Sequence, residues 1–107
     1  MRAHHLRNLP GVAENGVIIA GAGPIGKRLA LDLQNEGVAV KGFFDVNPAR
    51  VGQRIHGAEV AADDQMMTRW RPSIMLGAVG LKGARSTVRE MALAAGRREG
   101  EDFWAVC

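Results

Sequence analysis

Three glycines and one carboxylate carry the clearest chemical potential in this chain. Gly21, Gly23 and Gly26 stand in the turn G-A-G-P-I-G, and Asp45 follows about 19 residues after Gly26. A glycine turn between a strand and a helix brings bare backbone N–H groups up to a diphosphate. Gly21 permits a tight exit from the strand. Gly23 leaves room where a Cβ would collide with the phosphates, and Gly26 lets the helix pack closely. Ala22 and Ile25 complete the turn. Pro24 suits the first helical turn, where its missing donor costs little. Asp45 can accept hydrogen bonds from a ribose diol. It would repel a 2′-phosphate, which favours NAD or another 2′-hydroxyl nucleotide over NADP, although Arg50 nearby weakens that preference. Lys27 and Arg85 could each meet a phosphate, and Arg85 has a planar donor fork for the purpose. Gly77, Gly80 and Gly83 surround the end of a later strand, and Gly80 joins the candidate site. The plainer reading is that the glycines serve only the turn and Asp45 caps its own loop. Lys27 is then a solvated helix residue and Arg85 a surface cation paired with Glu90 or solvent.

The elements that must position these groups alternate between strand and helix. Val17, Ile18, Ile19 and Ala20 form a continuous apolar run, as in a strand buried on both faces. Ile25, Leu29 and Leu33 recur at helical spacing, and Gly37 fits the stop. Residues 38–44 read as a second strand and 50–57 as an irregular loop. Residues 59–61 read as a short third strand. Asp63 or Asp64 could cap a helix through Met66, Met67 and Trp70 that Pro72 ends. Residues 74–79 predict a fourth strand, 86–95 a helix and 103–106 a last strand. The expectation is an α/β, Rossmann-like three-layer domain with a parallel five-stranded sheet in the order 3-2-1-4-5. That domain spans residues 16–107. Residues 1–15, broken by Pro10-Gly11, read as a flexible tail or linker.

Composition narrows the function classes. The chain has 107 residues, enough for one domain. Its net charge of +3 comes from scattered arginines interleaved with acids, and residues 97–102 read as self-neutralising. Three Phe, two Trp and no Tyr argue against a base-stacking platform of the single-strand-binding kind. The expectation is therefore no nucleic-acid partner. Absence of Tyr also excludes a Tyr–Lys proton relay. Cys107 is the one cysteine, so an intrachain disulfide is excluded and a reducing, cytoplasmic setting fits. No apolar run is long enough to span a membrane. No His/Cys/Asp/Glu group has metal spacing.

The combination of the GAG-x-x-GK turn, the G-F-F-D strand end, G-x-x-I-x-G-x-x-V, V-G-x-x-G-x-R and a closing D-F strand is distinctive. It resembles the small Rossmann-like domain at the C-terminus of some bacterial family-2 glycosyltransferases. It is also similar to the N-terminal domain of sugar O-acyltransferases. The resemblance implies a nucleotide-sugar over the turn, held by Gly21, Gly23, Gly26 and Asp45, with Arg85 less securely. It also implies a linked or separate glycosyltransferase domain as partner. Neither family's catalytic domain is in this sequence, so their chemistry does not carry over. The expectation is a nucleotide-binding domain, for NAD or a nucleotide-sugar, that does not catalyse a reaction alone. A minimal NAD-dependent oxidoreductase and a ligand-free docking or homodimerising module are the alternatives.

Overall fold

The computed structural model describes residues 3–62, 70, 72–78 and 82–106. The elements run α1 (Ala3–Leu6), α2 (Val12–Asn15), β1 (Val17–Ala20), α3 (Pro24–Asn35) and β2 (Val40–Phe44). They continue with β3 (Arg54–Ile55), β4 (Ala58–Ala61), β5 (Ile74–Gly77), α4 (Lys82–Ala94) and β6 (Phe103–Ala105). The sheet order is β3-β4-β2-β1-β5-β6. Among the described residues, the strand pairings are parallel except β3 with β4. Leaving β3 aside, this is the expected 3-2-1-4-5 order.

β1 sits at the centre and explains the three layers. Successive residues of a strand face opposite sides of the sheet. Val17 and Ile19 join the core with Ala30 and Leu33 of α3. Ile18 and Ala20 join Val88 and Ala92 of α4 on the other face. All four β1 residues are buried, as a continuous apolar run in a parallel sheet requires. Trp70 packs in the α4 layer, against Gly42 of β2. A Cβ on Gly42 would lie 2.2 Å from the indole ring, so only glycine admits that ring.

Several local expectations change. Residues 3–15, expected as a tail, include two helical turns, and Leu6 and Val12 are fully buried in the α3 layer. α4 starts at Lys82, one turn before the expected residue 86. The loop 50–57 contains the added strand β3, an antiparallel hairpin with β4 that turns at His56 and Gly57. Both turn residues have positive φ, 50° and 83°, the pair of left-handed conformations a tight hairpin uses. Arg97, within the self-neutralising stretch 97–102, is 2% exposed. Its Nη1 donates to the carbonyls of Ser73 and Asp102. The expected helix through residues 63–67 lies outside the described residues.

Candidate site at the glycine turn

The carboxyl ends of β1, β2 and β5 meet where the chain order reverses from β2 to β5 across β1. An open α/β sheet has its crevice at such a point. The amide of Gly21 donates to the Phe44 carbonyl at 2.7 Å, and the Ala78 amide donates to the Ala20 carbonyl at 2.8 Å. The turn is thus tied to the strands on both sides.

Each glycine of the turn has a separate physical reason. Gly21 has φ 120°, a conformation that L side chains avoid. Gly26 packs so closely that a Cβ would fall 1.7 Å from the Gly21 carbonyl oxygen. Gly23 is the N-cap of α3, with no side chain capping the helix. Its bare Cα lies against Arg50, whose guanidinium atoms would stand 3.2–3.4 Å from an added Cβ. Pro24 opens the helix, and Lys27 closes the first backbone bond to the Gly23 carbonyl at 2.9 Å. Ala22 is buried, whereas Pro24, Ile25 and Lys27 are exposed at the mouth of the turn.

Asp45 stands at the end of β2, and its carboxylate bonds both to its own loop and to the glycine turn. Its Oδ2 accepts the Ala22 amide at 2.8 Å and pairs with Arg50 Nη1 at 3.2 Å. Its Oδ1 accepts the Asn47 amide at 2.8 Å. With 6% exposure, Asp45 is a brace between the turn and the end of β2. Asp45 caps its own loop through Asn47, and it also reaches across to the turn through Ala22. Asn47 continues the brace, its Oδ1 accepting the Ala49 amide at 3.0 Å and its carbonyl the Arg50 amide at 3.0 Å. These bonds fold the D-V-N-P-A-R loop so that Arg50 returns over the turn.

The structure brings Gly21, Ala22, Gly23, Pro24, Ile25, Gly26, Lys27 and Asp45 together, and adds Arg50. In the sequence, Arg50 was visible only as a charge near Asp45. Gly80 lies outside the described residues. Arg85 is described as a position in the first turn of α4. Among the described residues, no three His, Cys, Asp or Glu side chains gather as metal ligands. No described helix is long and apolar enough to cross a membrane.

The family model for the CoA binding domain matches residues 13–98. The chain belongs to the CoA-binding domain family. This CoA-binding-family domain is 36% identical over 66 residues to the redox-sensing transcriptional repressor Rex of Clostridium novyi (strain NT). That match covers 59% of the chain and 31% of the relative. Its fold is similar to that of RSP in complex with beta-NADH, with TM-score 0.64 and 26% identity over 84% of this chain and 44% of that one. RSP is a Rex-family repressor in a second solved structure, with TM-score 0.67 and 22% identity over 96% and 58% of the two chains. A third holds beta-NAD+ and operator DNA, with TM-score 0.64 and 23% identity over 85% and 50%. The domain thus spans about a third of its curated relative and about half of these solved chains.

Two expectations are corrected by these likenesses. The resemblance to glycosyltransferase-linked and acyltransferase domains is not supported; the family model that matches is that of the CoA binding domain. Exclusion of nucleic acid is overturned, because a structural neighbour was solved on operator DNA. Scattered charge on one domain does not report what a longer polypeptide binds.

Proposed function

We propose that this domain binds a nicotinamide dinucleotide as a sensor of its redox state and performs no chemistry on it. One observation carries the reading. The bare backbone at Gly23 lies beside the uncapped start of α3 and the Arg50 guanidinium, in a fold like that of RSP with NADH. Backbone donors and a helix N-terminus suit a diphosphate. The fit is supported by the cradle itself, since a side chain at Gly23 would fill the space that a phosphate needs. A nicotinamide dinucleotide, when bound, supplies a hydride-carrying ring whose oxidation state can be read out. The chain's own residues would bind and orient it. The likeness to Rex supports a place in a regulator acting on DNA, with a cytoplasmic setting as part of the same reading.

The family match favours a second ligand, coenzyme A, which shares the adenosine diphosphate portion. Calorimetric titration with NADH, NAD+, CoA and UDP-glucose separates the two. NADH is expected to bind most tightly and UDP-glucose not at all. Binding of CoA without NADH would overturn the proposal in favour of the second reading.

A further inference from the structure

We infer that Arg50 selects ligands carrying a diphosphate at this turn, with Asp45 as its positioning residue. The inference rests on the nucleotide reading above only for the class of ligand.

The geometry at Gly23 points to it. Three guanidinium atoms of Arg50 lie 3.2–3.4 Å from where a Cβ on Gly23 would stand. Arg50 is therefore the side chain nearest the bare backbone of the cradle. It is held there by Asp45 Oδ2 at 3.2 Å. Asp45 in turn is fixed by the Ala22 and Asn47 amides, so the anchor is a buried, twice-bonded carboxylate. The ion pair uses Nη1. A guanidinium carries five N–H donors in a planar fork, and the Arg50 side chain is 40% exposed. Donors thus remain for an incoming oxyanion.

Charge balance gives the same result. An unpaired carboxylate bonded directly to the turn would repel a diphosphate approaching Gly23. Arg50 offsets that charge while its side chain stays 40% exposed. Bidentate recognition of phosphate oxygens is the chemistry for which a guanidinium is shaped. The loop sequence explains the placement. Asn47 accepts the Ala49 amide through its side chain and the Arg50 amide through its carbonyl, which turns the chain back toward Asp45.

The test titrates the wild-type chain, Arg50→Ala, Arg50→Gln and Arg50→Lys with ADP, inorganic pyrophosphate and adenosine. Arg50→Ala is expected to weaken ADP and pyrophosphate about tenfold or more while leaving adenosine unchanged. Arg50→Lys should retain part of the affinity. Arg50→Gln serves as the uncharged variant if the alanine chain does not fold. Unchanged or tighter ADP binding by a folded Arg50→Ala or Arg50→Gln chain would overturn the inference, because Arg50 would then cover the cradle instead of serving it. Titration with NADH separates the two readings. If ADP binds in an Arg50-dependent way but the nicotinamide half adds nothing, the sensor reading fails and this one stands. A wild-type chain that binds neither ADP nor pyrophosphate overturns both.

Discussion

The Asp45 carboxylate accepts the backbone N–H of Ala22 at 2.8 Å, joining the end of β2 to the turn after β1. Both partners are buried. This bond sets the height of the glycine turn above the sheet edge, and the Arg50 pair is built on it. Asp45→Ala is expected to lower unfolding free energy by about 1–3 kcal/mol, because the buried Ala22 amide loses its acceptor. Urea denaturation measures it. Asp45→Asn, which keeps one acceptor oxygen, is expected to cost less than Asp45→Ala. Equal stability of wild type and Asp45→Ala would show that the brace is dispensable.

Gly26 and Gly23 are expected to fail differently. A methyl on Gly26 would sit 1.7 Å from the Gly21 carbonyl oxygen, which is backbone and cannot step aside. Gly26→Ala should therefore force α3 away from the turn and destabilise the fold by about 3 kcal/mol or more. A methyl on Gly23 would meet the Arg50 Nη1 at 3.2 Å, the end of a flexible side chain. Gly23→Ala should keep its circular dichroism melt within a few degrees of wild type and lose ADP affinity. The two melts, measured side by side, check the contrast.

Leu6 tests whether the N-terminal helical turns belong to the domain. It is fully buried in the layer that contains Leu33 and Val12. Leu6→Ala is expected to cost about 2–5 kcal/mol, the range for a large-to-small change in a packed core. A solvated segment would give a change close to zero in the same denaturation experiment.

Much of this architecture was legible from residue order, for reasons that are local. Four consecutive apolar residues in β1 can only be buried on both faces, and the glycine spacing after them fits a strand–turn–helix. Gly37 is the expected stop: it has φ 81° just beyond α3, and its amide donates to the Gln34 carbonyl at 3.0 Å. What escaped detection depends on distant or backbone partners. The β3–β4 hairpin needs His56 at φ 50°, a conformation sparsely used by residues other than glycine, so the H-G pair gave a weak turn signal. Leu6 and Val12 lie on separate short helices divided by Pro10-Gly11, and no periodicity links them. At the site, spacing from the glycine turn places Asp45 at the end of β2. Its bonds to Ala22 and Arg50 depend on how the loop folds back, which spacing alone does not encode.

Arg97 shows the same limit from the opposite edge of the sheet. Its partners include the Ser73 and Asp102 carbonyls, just before β5 and β6. Arg97→Ala leaves those acceptors in a void and is expected to destabilise by about 2–4 kcal/mol. The shift in guanidinium chloride midpoint measures that loss. Nucleotide affinity of the folded variant should match wild type, since the glycine turn stands at the other end of the strands. A selective loss of affinity would show that the two edges are coupled.

The alternating side chains of β1 also bear on how the domain comes apart. Val17 and Ile19 serve one helical layer, Ile18 and Ala20 the other. Neither layer has a private foundation, so peeling off one strips the floor from its neighbour. Heat should therefore dismantle both together in a single all-or-none event, with no half-assembled survivor.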